Sequence, residues 1–420
     1  MLFTWNGERF EFLTDMLGGG EMGNWMGPAA FNTPDPVEYV RIRGDQLRER
    51  NGRLELRVTN ELEEAVFLDE ARLLAVDHPR GVEVYPNEGL TVPAKPFRLF
   101  AVEGLHPPAR VVDDHGHDVT ARVARIDRTY PDDFARRPFR GYAEPHTLTF
   151  DLGAFSVAPL VLLTGWTDYA FSSDSVAAAQ AGLSPSLPRV EVKTASGKWR
   201  ALDVAVGMPV GRPQTTVLDL ANLLRPGEHE LRLTTNLRIY WDQILIGRAA
   251  PAPAVPITLE PLSATLRVRG FSAEVRPDGQ EPLAYDYATV SPVSPWKALA
   301  GWYTRAGDVA PLLAAVDDQF VITTSGDEIA LAFDARELPP LGAGLARTYL
   351  LRVDGHSKEM DINSASPHTV DPLPFHGMSR YPYPATEHYP QTAAHQHYRE
   401  TYNTRQITRV LPPLSTFTRR

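Results

Sequence analysis

The chain of 420 residues contains no cysteine, which excludes disulfides, thiolate metal sites and cysteine nucleophiles. It has no run of about 18 apolar residues, the length a membrane-spanning helix needs. The opening MLFTWNGERFEF lacks the basic start and long apolar core of a secretory signal peptide. The formal charge is −10 with acids and bases interspersed, so the basic footprint of a nucleic-acid-binding protein is missing. Gly18-Gly19-Gly20 leads into Glu21 rather than the Gly-Lys-Ser/Thr that sets an ammonium against a phosphate. No Gly-x-Ser-x-Gly elbow and no His-Glu-x-x-His stands in the chain.

What is present points to β structure. There are 37 prolines and 30 glycines, and 43% of residues are hydrophobic. Proline ends helices and keeps to strand edges and turns, so this density predicts many short strands rather than long helices. The length predicts two to four domains of roughly 100–150 residues. The expected fold is mainly β: tandem antiparallel β-sandwich, jelly-roll-like domains with few short helices and a Pro/Tyr/His-rich C-terminal tail.

The clearest strand signal is TTNLRIYWDQILIG, residues 234–247, where Leu237, Ile239 and Trp241 alternate with Arg238, Tyr240 and Asp242. A period of two in β-branched and aromatic residues reads as a strand buried on at least one face. Its expected partner is VLLTGWTDY, residues 161–169. Leu2–Phe12 reads as a hairpin around Asn6-Gly7, since both residues accept positive φ. Expected boundaries are an N-terminal segment 1–36, a β domain over 37–140, a β-sandwich over 141–249 and a β-rich domain over 257–363. A Pro-rich linker (APAPAVP, 250–256) and an irregular extension over 364–420 complete the division. Asp308–Val316 is the best short helix, with Asp308 at its N-terminus. No repeat of fixed period is evident.

Two constellations carry candidate chemistry. In VDDHGHDV, Asp113, Asp114, His115, His117 and Asp118 are the ligand types that zinc or another first-row ion takes. The competing reading is a polar turn in which the aspartates bond nearby amides. Trp166, Asp168, Tyr169, Tyr240, Trp241 and Asp242 mix aromatic faces with carboxylates, as small-ligand sites for sugars and other planes do; the competing reading places the aromatics in the core. Asp168 with Asp174 has the residue types of a glycosidase pair. Asp354, Glu359, Asp361 and Asn363 offer oxygens for calcium without EF-hand spacing. His376, His388, His395 and His397 lie among tyrosines in a tail suited to an interface.

Several segments together resemble a known family: LRVTNELEEAVFLDEARLLAVDHP (56–79), VEVYPNEG (82–89), VVDDHGHDVTARV (111–123), LLTGWTDYAFSSD (162–174), RIYWDQILI (238–246) and DGHSKEMDIN (354–363). They are similar to the C-terminal module of bacterial FG-GAP/VCBS-repeat, ASPIC-containing (cartilage-acidic-protein-like) proteins. The start, LFTWNGERFEFLTDMLGGG, resembles the last blade of an FG-GAP propeller, although the upstream blades and their calcium loops are not in this chain. The resemblance implies an extracytoplasmic, all-β, adhesive or scaffolding protein and transfers no catalytic residue. The function expected is non-enzymatic binding of protein partners, or of a second copy, through sandwich surfaces and the aromatic tail. A carbohydrate-binding rim at Trp166/Trp241 and a metal-dependent hydrolase are the alternatives. The only cofactor implied is a divalent ion, calcium or zinc.

Overall fold

The protein is described by a computed structural model covering residues 1–18, 21–28, 30–32, 36–91, 93–276 and 281–408. Gly19 and Gly20 of the glycine run, residues 33–35 of the Pro-rich link and the end of the C-terminal extension lie outside the described residues. The fold is mainly β, with several antiparallel sheets and, among the described residues, two α-helices: α1 (Ser172–Gln180) and α2 (Ala393–Thr401). No described helix is long and apolar enough to cross a membrane.

Contacts divide the chain into two units. Unit 1 comprises Met1–Ala75, Pro256–Pro340 and Arg347–Arg420; unit 2 comprises Val76–Val255 and Leu341–Ala346. In unit 1 the main strands are β1 (Leu2–Trp5), β2 (Phe10–Thr14), β3 (Val37–Arg43), β4 (Arg53–Thr59) and β5 (Glu64–Pro79). Unit 2 follows with β6 (Val82–Pro86), β7 (Leu99–His106), β8 (Val111–Asp113), β9 (Tyr142–Asp151) and β10 (Leu160–Thr167). It continues with β11 (Arg189–Lys193), β12 (Trp199–Ala201), β13 (Gln214–Asp219), β14 (Glu230–Leu237) and β15 (Ile239–Ala249). The chain then returns to unit 1 with β16 (Ile257–Leu259), β17 (Pro261–Val268), β18 (Asp327–Asp334) and β19 (Leu345–Glu359).

Unit 2 consists of two sheets, ordered β12-β11-β14-β9-β8 and β6-β7-β15-β10-β13. Counted from β7 and leaving out the short β8, one sheet runs first-eighth-third-sixth and the other second-seventh-fourth-fifth. That is the jelly-roll order, two Greek keys folded over one core. The sequence reason is alternation. In β14 every second residue is buried, and Leu231 and Leu233 meet Val161, Leu163, Ile244 and Ile246 of the facing sheet. The partnership expected for the strongest strand is found: β10 pairs antiparallel with β15 from Leu160↔Gly247 to Thr167↔Ile239, with an irregularity at Thr164/Gly165.

Unit 1 has the same plan. Leaving out the short strands Glu49–Arg50, Gly307–Asp308 and Val321–Thr323, its sheets run β2-β1-β4-β18-β17 and β16-β5-β19-β3. Read from β16, the strands β16 to β19 followed by β1 to β5 take the places of β7 to β15, strand for strand. Unit 1 is therefore a permuted jelly roll: the chain supplies its last five strands first, builds unit 2, and returns with the rest. Local sequence carries the same correspondence once it is sought. ELRVTN (55–60) matches ELRLTT (230–235), and DVAPLLAAVDDQF (308–320) matches DVTARVARIDRTY (118–130). The offset differs between the two pairs, so no single period was visible.

The expected boundary at 140/141 falls inside unit 2, and the expected 37–140 and 257–363 domains each contain halves of a shared structure. Leu56 of β4 lies opposite Leu331 of β18, and Val40 of β3 opposite Leu351 of β19. Alternation predicts that a strand exists, not which distant strand it joins. The Asn6-Gly7 hairpin forms as expected, yet its β1 pairs with β4 and completes a unit 1 sheet rather than standing as a separate blade. The expected helix over Asp308–Val316 is only a 3₁₀ turn, Ala310–Leu313. Val309 donates its amide to Ala264 of β17 and Leu312 and Leu313 are buried, so strand contacts outbid a segment too short to nucleate an α-helix. The described part of the C-terminal extension packs into unit 1. Phe375, Met378, Tyr381 and Tyr389 enter a core cluster with Phe67, Phe320 and Ile322 of their own unit.

Candidate functional sites

β8 ends in the turn that carries the first constellation. Asp113 is held by its strand pairing to β9, and its Oδ1 accepts the amides of His115 (3.0 Å) and His117 (2.8 Å). This is the polar turn in which an aspartate bonds nearby amides, with Gly116 at positive φ. The same turn sets the two imidazoles side by side, ring centroids 5.8 Å apart. Asp113 Oδ2 lies 3.2 Å from His117 Nδ1, and Asp133 Oδ2 lies 3.6 Å from His117 Nδ1 and 4.0 Å from His115 Nδ1. One ligand atom each from Asp113, His115, His117 and Asp133 falls within 4.8 Å of the others.

Asp133 was not singled out in the sequence; it comes from the charged stretch after Tyr130, and only the fold brings it to the turn. Asp114 stands 3.7 Å from His115 Nδ1 at the edge. Asp118 faces elsewhere: its carboxylate accepts the amide and hydroxyl of Thr120, and the hydroxyl bond holds its pKa below the usual range. Beside the cluster is a hollow whose walls include Asp113, Asp114, Asp133, Phe134, His146 and Trp241. His146 stacks on Phe134 at 4.3 Å, and burial lowers its pKa.

The second constellation is divided by the fold. Trp241 is 4% exposed and belongs to the core, and Tyr240 is 7% exposed. Trp166 stacks on Tyr240 at 5.0 Å, and Tyr130 meets both rings edge-on. Asp168 accepts from Arg140 (2.6 Å) and Arg238 (3.1 Å). Tyr169 packs edge-on to Phe171, near the Arg140 guanidinium. Asp242 accepts the amides of Asp127 (3.2 Å) and Arg128 (2.9 Å), and its burial raises its pKa. Trp241 thus reaches the hollow beside the histidines, while Asp168, Tyr169 and Asp242 serve ion-pair, packing and turn-anchoring positions. Asp174, the other half of the imagined glycosidase pair, accepts the amides of Arg140 and Phe171 at the start of α1.

The calcium reading of 354–363 disperses in the same way. Asp361 accepts the Asn363 amide, Glu359 accepts the Ser364 hydroxyl, and Asp354 turns to His376. That last contact opens a cluster in unit 1 that the sequence did not assemble. Asp69 of β5 is 0% exposed; its Oδ2 accepts the amides of Asp317 (3.0 Å) and Asp318 (2.9 Å), and its Oδ1 has no partner. Asp318 sits at φ 65° and its Oδ1 lies 2.6 Å from His376 Nδ1. His376 Nε2 lies 2.7 Å from Asp354 Oδ1.

Burial opposes a charge on His376, but the hydrogen bonds to Asp318 and Asp354 outweigh it and raise its pKa to about 10. Burial raises Asp69 to about 7. Behind them His356 is 3% exposed, with neither ring nitrogen hydrogen-bonded, and burial lowers its pKa to about 4. His376 and Asp354 had been noted separately in the sequence. The signal that would have joined Asp69 and Asp318 to them is the internal match of FLDE (67–70) with YWDQ (240–243) and of VDDQF with IDRTY.

No family model matches the chain, and no curated protein and no solved structure is significantly similar to it. The functional reading therefore rests on the chain's own residues and on the segment resemblance drawn from its sequence.

Proposed function

We propose that the chain is a non-enzymatic, extracytoplasmic binding protein that takes its ligand at the His115/His117 end of unit 2 through a divalent first-row ion. One observation carries the reading: the donors of Asp113, His115, His117 and Asp133 converge beside a hollow that Trp241 and His146 also line. Two imidazoles and two carboxylates suit zinc better than calcium, which prefers oxygen ligands throughout. With His115, His117 and Asp133 exposed, an ion here keeps room for a further ligand, such as a carboxylate of a partner protein or the hydroxyls of a sugar entering the hollow. The family resemblance supports the extracytoplasmic setting and the scaffolding role. Within the C-terminal extension, Tyr381, Tyr389 and Tyr398 are buried in their own unit.

The test is zinc stoichiometry by equilibrium dialysis on the full chain, wild type against the His115→Ala/His117→Ala double variant. The variant is expected to bind one equivalent fewer with an unchanged circular dichroism spectrum. Equal stoichiometry in the two proteins would refute the site.

A further inference from the structure

Buried polar atoms in native proteins nearly always find partners, and those that do not call for a specific explanation. Among such atoms in unit 1 are Oδ1 of the fully buried Asp69 and both nitrogens of His356. They adjoin a set of metal-type donors, because ligand atoms of Asp69, Asp318 and His376 lie within 4.8 Å of one another. The His356 and His376 rings are 5.7 Å apart, close to the 5.8 Å between His115 and His117 in unit 2. Phe320 lies against both imidazoles and forms one apolar wall.

The internal duplication separates what the fold requires from what has been added. Asp242 is the unit 2 counterpart of Asp69: each accepts two successive amides from a turn whose second residue has positive φ, Asp318 in one unit and Arg128 in the other. Anchoring that turn is the shared structural duty. Gly355 and Gly165 are likewise equivalent, each pressed against the backbone carbonyl of Phe67 or Tyr240. The next residue is Trp166 in unit 2, stacked on Tyr240, and His356 in unit 1. Unit 2 thus fills this layer with plain aromatics and sets Asp127 and Arg128 beside its buried carboxylate. Unit 1 places imidazoles in the layer and carboxylates around it. Beyond the turn-anchoring carboxylate, the jelly roll does not need these donors.

We propose that unit 1 holds a divalent first-row ion, between manganese and zinc in type, ligated by Asp69, Asp318 and His376, with His356 as a further nitrogen ligand. The donor set decides the class: carboxylates with imidazole suit manganese, iron(II) and zinc, whereas calcium and magnesium favour oxygen alone. Asp354, bonded to the second nitrogen of His376, orients that ring as an outer carboxylate does for a metal-bound histidine. The inference is independent of the unit 2 site.

The experiment uses the full chain, freed of metal with chelator and dialysed against manganese, in the His115→Ala/His117→Ala background that removes the unit 2 donors. One equivalent is expected to remain. Adding His376→Gln should weaken it more than ~100-fold, beyond the 10–100-fold that losing an outer partner causes, while Asp242→Asn should leave it unchanged. No bound equivalent in the double variant, or undiminished binding after His376→Gln, overturns the proposal. If His376→Gln does not fold, manganese-edge anomalous diffraction from wild-type crystals decides: a peak among Asp69, Asp318 and His376 supports the site, and its absence at saturating manganese sinks it.

Discussion

Lys358 of β19 offers the most direct check on the energetics of unit 1. Its side chain is fully buried, and its Nζ donates to the carbonyls of Thr369 (2.7 Å), Val370 (3.4 Å) and Asp371 (3.3 Å), with the Tyr381 ring 5.3 Å away. Among the described residues, no carboxylate forms an ion pair with the amine. Burial disfavours the ammonium and lowers its pKa from 10.5 to about 7. In the unfolded chain the amine keeps its usual pKa, so the unfolded state binds more protons across that window. Stability must then rise as pH increases from about 7 and is complete above the unfolded value. Between about pH 7 and about pH 9 linkage gives a gain of about 2 kcal/mol. The three carbonyls favour the ammonium and make that figure a ceiling. Lys358→Met keeps the stem and removes the titration. Urea unfolding of both proteins at the two pH values isolates the effect, because every other group cancels in the difference. Wild type should gain up to about 2 kcal/mol relative to the variant on going to the higher pH. A wild-type gain no larger than the variant's would refute the account of a desolvated amine.

Gly165→Ala and Gly355→Ala should each be poorly tolerated, since the added Cβ would sit 2.5 Å from the Tyr240 carbonyl oxygen or 2.3 Å from that of Phe67. A cost of about 3 kcal/mol is expected for each, read as a melting temperature lower by roughly 6–12 °C; a drop under about 2 °C would show that the strands part easily there. Arg238→Ala removes donors to the carbonyls of Arg137, Phe139 and Tyr142 as well as to Asp168. Losing this half-buried clamp should cost about 2–4 kcal/mol, and Arg238→Lys should not restore it because an ammonium lacks the planar fork. Full recovery by lysine in denaturant melts would contradict the geometric role.

The strand content and the individual strands were legible because strand patterning is a local property: β4 and β14 alternate, while β10 and β18 are short apolar runs buried along almost their whole length. The Asn6-Gly7 turn and the turn-forming duty of Asp113 were legible for the same reason. The helix α1 was not, since Ser172-Ser173-Asp174 reads equally well as a turn, and here Asp174 meets the Phe171 amide at a helix start. The duplication lay in the sequence but was hidden by permutation, which gives the matching segments unequal offsets.

What the chain determined by itself is the class of fold, the positions of its strands, and the residue types available for chemistry. Only tertiary structure decided their partners. It joined β3 and β4 to β19 and β18 across an inserted unit, brought Asp133 to the His115/His117 turn, and drew Asp69, Asp318, Asp354 and His376 together from separate stretches. The physical reason is that side-chain periodicity reports which face of a strand is buried. Which distant strand covers that face depends on packing and backbone pairing over the whole unit, and no local window contains it.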